Sequence, residues 1–170
     1  MYKLIIAFLT LALSCTAQAN EQTFGFSAST FSGSGFSYKR KLDENYQVKA
    51  SGFMFGSKTS GSESFSYNLG CEAQRNLHQA NLTRFYGLLG LSYWDDKTTS
   101  PAYDSLGNLT GQSMVSRTRE MQLGTGIGVE VTLLENISIN ADAGFKYQKS
   151  LNNGDYQVGF GLGAGLGYTF

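Results

Sequence analysis

His78 is the only histidine in the 170 residues, and Cys15 and Cys71 are the only cysteines. A general base must lie within hydrogen-bond reach of its nucleophile, so a lone histidine acts only beside a positioned partner. His78 falls in a polar stretch, residues 76–81, that reads as a short turn, and its plain reading is a solvated turn residue. No cluster of His, Cys, Asp and Glu has metal-ligand spacing, and the glycines are scattered rather than gathered into a phosphate loop. The sequence therefore predicts no catalytic residue, no cofactor and no metal. Its 13 basic residues balance 13 acidic ones, which leaves no electrostatic footprint for a nucleic-acid partner.

Charged side chains are the other candidates for chemistry. Lys49, Glu72, Arg84 and Glu130, extended by Asp142 and Lys146, would pair into a network if they shared one interior, because buried charges require partners. Arg117 and Arg119 are candidates for phosphate contacts, where guanidinium binds bidentately. The long segment 95–113 carries Pro101, Tyr103, Asp104 and Leu106, and loops of that length are often functional. What each group can do depends on the elements that hold it.

The first residues stand apart from those elements. Met1-Tyr2-Lys3 opens with a positive charge, residues 4–13 are apolar except Thr10, and Ala17-Gln18-Ala19 forms a small-x-small cleavage site. That run is about half the roughly 20 residues a spanning helix needs. Residues 1–19 read as a cleaved export signal and residues 20–170 as one domain. Lipid acylation of Cys15 is the rival reading, but Ala12-Leu13-Ser14 lacks the expected leucine three positions before the cysteine. With Cys15 removed, Cys71 has no internal disulfide partner and is best tolerated facing lipid.

Period-two alternation organises the rest. From Tyr156 the even positions are Tyr, Val, Phe, Leu, Ala, Leu, Tyr and Phe, whereas the odd ones are mostly glycine. Such a pattern puts one set on each face of a strand, and a helix would carry five interior glycines at about 1 kcal/mol each. Ile137, Ile139, Ala141 and Phe145 repeat the rule, as do Met121, Leu123, Ile127 and Val129, and Phe65, Tyr67, Leu69 and Cys71. Residues 23–31, 36–42, 46–55 and 82–94 supply four weaker strands. The third weak strand loses phase at Gly52-Phe53-Met54-Phe55, where a bulge would account for it. In the fourth, Phe85, Leu89, Leu91 and Tyr93 compete with Tyr86 and Leu88 for the apolar face.

Eight strands, an even number, suit a single-chain bacterial barrel. Short turns at 43–45, 76–81 and 134–136 alternate with connections at 32–35, 57–63, 95–113 and 150–155, which places both termini in the periplasm. A soluble barrel of lipocalin type is apolar inside and charged outside. Here the non-apolar face is largely Gly, Ser, Asn and Gln, which fits the scarce interior space of a narrow barrel. The prediction is an all-β, eight-stranded antiparallel up-and-down transmembrane β-barrel of a Gram-negative outer membrane. In it, Lys49, Glu72, Arg84 and Glu130 face the lumen near the periplasmic half. Arg117 and Arg119 face outward above the apolar band, within reach of lipopolysaccharide.

The terminus Gly165-Leu166-Gly167-Tyr168-Thr169-Phe170 resembles the C-terminal signal read by the barrel assembly machinery, carried by Gly165, Tyr168 and Phe170. Gly35-Phe36-Ser37-Tyr38-Lys39-Arg40-Lys41-Leu42-Asp43-Glu44-Asn45 resembles the second strand and first turn of the Ail/OmpX family of small, OmpA-like barrels. Phe85-Tyr86-Gly87-Leu88-Leu89-Gly90-Leu91-Ser92-Tyr93 is similar to that family's fifth strand. The resemblance implies surface adhesion, host-cell entry or complement resistance through extracellular loops, although the loops here do not match. The implied partners are outer-membrane lipid and lipopolysaccharide, the assembly machinery, and a host surface or matrix ligand. The alternatives are a structural envelope protein, a narrow pore, and a lipid A-modifying enzyme. The last of these needs a histidine beside a serine, for which His78 stands on the wrong side of the membrane.

Overall fold

The computed structural model describes residues 21–59, 61–103 and 109–170. The predicted export signal, Cys15, Asp104 and Leu106 lie outside the described residues. Eight strands follow one another: β1 (Gln22–Ser29), β2 (Gly33–Lys41), β3 (Tyr46–Thr59), β4 (Ser62–Gln79), β5 (Thr83–Tyr103), β6 (Leu109–Leu133), β7 (Ile137–Ser150) and β8 (Tyr156–Thr169). Each pairs antiparallel with the next, and β8 returns to β1 to close the barrel.

The register fixes the barrel's shape. Following pairs from Phe24 through Tyr38, Ala50, Cys71, Leu91, Leu123 and Tyr147 arrives at Val158, yet Phe24 itself pairs with Tyr168. The closure is therefore displaced by ten residues along β8. With a rise of about 3.3 Å and strands about 4.8 Å apart, that stagger tilts the strands by about 40° and sets a radius of about 8 Å. At this tilt roughly ten residues cross an apolar band about 25 Å tall.

Burial is inverted relative to a soluble barrel. Phe26, Phe36, Leu89, Ile127, Phe160 and Leu166 are exposed on the outer wall. Among the described residues the buried ones are mainly polar, and Phe31, Tyr86 and Leu88 form an apolar interior cluster. An apolar exterior belt around a polar interior has its lowest free energy in a bilayer. Tyr86 and Leu88 face the lumen, so Phe85, Leu89 and Leu91 hold the lipid-facing phase of β5.

Four expectations about strand limits need correction. The β3–β4 register runs unbroken from Tyr46 to Thr59, so no bulge interrupts Gly52 to Phe55. The phase is lost only in hydropathy, because Phe53 turns inward against Trp94 with ring centroids 6.3 Å apart. The register shifts fall instead at Asn76/His78 and Pro101/Tyr103. His78 is an exposed residue at the end of β4, paired with Phe85, rather than a turn residue. Segments 57–63 and 95–113 are not loops over most of their length, since β3, β4, β5 and β6 continue into them. Alternation between charged and hydroxyl residues extends those strands without any hydropathy contrast to announce them.

The β1–β2 turn is the opposite case, short and folded inward. Thr30 continues the seam to β8, its N–H donating to Leu162 O and its Oγ1 accepting from Leu162 N, both at 3.0 Å. Phe31 then drops into the lumen and is fully buried. Its socket is lined by Gly90, Gly124 and Gly161, where a Cβ would come within 2.8, 2.3 and 2.5 Å of Phe31 atoms. Those three glycines are spatially required, because a larger residue would displace the ring at Gly124 or Gly161 and the Phe31 backbone at Gly90.

Candidate functional site

The lumen below Phe31 holds charged side chains from six strands, β2 to β7. Glu130 on β6 accepts from Lys39 on β2 and, at 3.2 Å, from Arg84 on β5. Arg84 also donates to Gln74 Oε1 at 2.5 Å and Asn76 Oδ1 at 2.8 Å, and its guanidinium stacks 4.3 Å from the Tyr86 ring centre. On the neighbouring strands Lys49 Nζ lies 2.9 Å from Glu72, which accepts from Gln74 Nε2 at 2.6 Å. Tyr86 donates its phenol to Asp142, and Asn140 Nδ2 donates to the same carboxylate at 3.2 Å. Three cations (Lys39, Lys49, Arg84) thus face three anions (Glu72, Glu130, Asp142), and the cluster is neutral as a whole.

Lys146 does not belong to this cluster. It donates to Gln148 at 3.1 Å, and Gln148 donates to Glu120 at 2.8 Å, which makes a separate layer nearer the extracellular end. Two members escaped the sequence reading. Lys39 sits in the basic run Lys39-Arg40-Lys41, where the phase of Phe36 and Tyr38 assigns both Lys39 and Lys41 to the lumen and does not tell them apart. In the sequence the ring of Tyr86 competes with the phase of Phe85, Leu89 and Leu91, whereas its buried hydroxyl finds a partner, Asp142, in the interior.

On the outer wall, above the apolar band, Asp95 is almost fully buried. Arg117 grips it bidentately, Nε to Oδ1 at 2.8 Å and one terminal nitrogen to Oδ2 at 2.5 Å. Tyr93 and Tyr67 add hydroxyl donors at 3.1 and 3.3 Å. The hydrogen bonds from Arg117 hold the Asp95 carboxyl below the usual carboxylate range, against the opposing effect of burial. Arg117 is therefore already engaged, whereas Arg119, two residues along the same face, has no share in that pair. Its backbone N–H donates to Asn152. At the other rim Tyr168 and Phe170 are exposed, and Gly165 lies close to Asn140.

The extracellular part is a sheet rather than a set of loops. Pairing of β2 with β3 stops at Gly52, and pairing of β6 with β7 stops at Glu120. Beyond those points β3, β4, β5 and β6 continue together; the outer edge of β3 pairs with no further strand among the described residues, whereas that of β6 is capped as far as Arg117 by Leu151 and Asn152 of the β7–β8 turn. The nine residues from Asp95 to Tyr103 extend β5 by about 30 Å along the strand. Pro101 sits at the β5–β6 register shift, its Cγ 3.3 Å from where a Gly61 Cβ would be, and Tyr103 pairs with Leu109.

No family model matches the chain, and no curated protein matches it. Among solved structures, a major outer membrane protein from Thermus thermophilus is 13% identical with a TM-score of 0.53, covering 90% of this chain and 100% of its own. The N-terminal β-barrel domain of Pseudomonas aeruginosa OprF is 16% identical with a TM-score of 0.51, covering 89% of this chain and 96% of its own. Ail, the attachment invasion locus protein of Yersinia pestis, is 19% identical with a TM-score of 0.48, covering 89% of this chain and 97% of its own. With its closed ring, apolar belt and polar interior, the chain has the fold of the small eight-stranded outer-membrane β-barrels.

Proposed function

We propose that this is a non-catalytic outer-membrane protein that acts in surface interaction, through the β3–β6 sheet that stands above the bilayer. The observation that carries the reading is that sheet itself, a four-stranded platform whose β3 edge, and whose β6 edge beyond Arg117, pair with no further strand among the described residues. Exposed sheet edges are ready templates for partner binding, and nothing in barrel stability requires strands of 21 and 25 residues when roughly ten cross the band. The short matches to the Ail/OmpX family point the same way, toward a host surface or matrix ligand. In this reading residues 1–19 are removed on export and Gly165, Tyr168 and Phe170 guide assembly. The neutral lumen cluster acts as a plug that fixes register. Arg119 remains free to meet lipopolysaccharide phosphate.

The test compares cells displaying the full-length protein with cells displaying a variant that lacks residues 96–112. Binding to host cells and matrix proteins is measured, and heat-dependent gel mobility verifies folding of both. Binding lost with the hairpin supports the proposal. Equal binding by both, no better than cells without the protein, refutes it and leaves a structural envelope role.

A further inference from the structure

The two faces of the protruding sheet differ in chemistry. On the outward face Lys58, Glu63, Lys97 and Arg117 continue the lipid-facing phase as charged residues. The opposite face, continuous with the lumen wall, is built from four positions on each of β3 to β6. One cross-strand row is Phe55, Ser66, Asp96 and Thr118, and the next is Ser57, Ser64, Thr98 and Ser116. Hydroxyl side chains occupy nine of the 16 positions, and none is Lys or Arg. Aromatic rings stand at the foot of the face: Phe55 is 61% exposed, and Trp94 is packed edge-on against Phe53.

We infer that this face binds a neutral saccharide. The proposal rests on the surface-interaction reading and assigns the ligand class to the same sheet. A polyhydroxylated ligand needs partners that both donate and accept, which serine and threonine hydroxyls do. Asp96, exposed and in contact with Ser66, adds an acceptor for paired sugar hydroxyls. Phe55 and Trp94 offer apolar surface to the C–H face of a sugar ring, and sites of this kind combine aromatic walls with a few placed polar groups. The area is also adequate. Four strands about 4.8 Å apart and four rows about 6.7 Å apart span about 14 Å by 20 Å.

Charge selects against the alternatives. A sulfated or phosphorylated glycan would bring anions against Asp96 and Glu120, with no cation on the face to meet them. An extended peptide would pair with the sheet edges, not with its face. The occupant is the neutral glycan of another cell, the source that the surface-interaction reading calls for, and the bacterium's own surface polysaccharide is tested against it.

Trp94 is the only tryptophan of the chain, so its fluorescence reports on the face directly. Full-length folded protein in lipid nanodiscs is titrated with delipidated neutral O-polysaccharide, with neutral N-acetyllactosamine oligosaccharides, and with heparin oligosaccharides. A saturable Trp94 response to the N-acetyllactosamine oligosaccharides is expected, and a response to O-polysaccharide alone overturns the assignment. Phe55→Ala and Thr98→Lys, each verified as folded by gel mobility, should weaken it at least tenfold. No response to either neutral arm, or a response these variants leave unchanged, overturns the inference. So does a response to heparin alone. Loss of cell binding on deleting 96–112 while neutral sugars fail at Trp94 would sink this inference and leave the surface-interaction reading standing. If that deletion leaves cell binding unchanged while neutral sugars bind at Trp94, the opposite holds.

Discussion

Glu130 joins two cations in the lumen, and its removal has a calculable effect. Its side chain is 11% exposed, as is that of Lys39. In Glu130→Leu, Lys39 loses its anionic partner, while Arg84 keeps its bonds to Gln74 and Asn76. Breaking one side of a buried pair costs about 3–5 kcal/mol, equivalent to a shift of roughly two to four decades in the folding equilibrium. Replacing both partners by apolar residues of similar volume is often neutral. Lys39→Met combined with Glu130→Leu should therefore recover to within about 1 kcal/mol of the parent. The Lys39→Met variant alone should cost less than Glu130→Leu, because Glu130 still has Arg84. The assay is urea-titrated unfolding from lipid vesicles, followed by Trp94 emission and gel mobility in parallel. The reasoning is refuted if Glu130→Leu alone costs under about 1 kcal/mol, or if the double variant is no more stable than that single one.

Phe31→Ala removes a fully buried ring from the lumen and should destabilise by about 3 kcal/mol, the low end for such truncations because water can refill the space. Phe31→Ala should show no steady conductance in planar bilayers, since the charge cluster still fills the lumen beneath it. Combining it with Glu130→Leu should produce a measurable leak, and a leak from the single variant would argue against a two-level plug. Gly124→Val places a Cβ 2.3 Å from the Phe31 ring and should lower the unfolding midpoint or slow assembly. Asp95 has a folded-state pKa below its unfolded value of about 3.9, so its contribution is present above that value and is lost as pH falls through the folded one. The melting midpoint should drop more for the parent than for Asp95→Asn on going from pH 6 to pH 2, and equal drops would remove Asp95 from the explanation.

Legibility in the sequence followed hydropathy contrast. In β7, β8 and the lower half of β6, apolar residues alternate with glycine and small polar ones, so phase and lumen wall could be read directly. The upper halves of β5 and β6 alternate Lys97 and Arg117 with Thr98 and Ser116, polar against polar, a pattern that a loop shares. Phe31, Phe53, Tyr86 and Leu88 break the rule differently. Each is an apolar residue on the inner phase, held there by a particular neighbour such as the glycine socket, Trp94 or Asp142. The cluster of Lys49, Glu72, Arg84 and Glu130 could be assembled from phase and strand adjacency. Lys39 needs the three-dimensional fact that β2 and β6 face each other across a narrow lumen, and the separation of Lys146 needs the register of β6 against β7.

The unequal strand lengths also make the molecule a directional neighbour. β1 and β2 have 8 and 9 residues, so their wall ends close to the bilayer surface, whereas β5 and β6 rise well beyond it. A second membrane protein approaching from the β1–β2 side meets a low wall with lipid-facing rings, Phe36 stacked on Phe24 and edge-on to Phe26. It can close up wall to wall, whatever headpiece it carries. From the β4–β5 side the same approach collides with the standing sheet. In a crowded membrane the protein would therefore pack with one flank against its neighbours and keep the other clear.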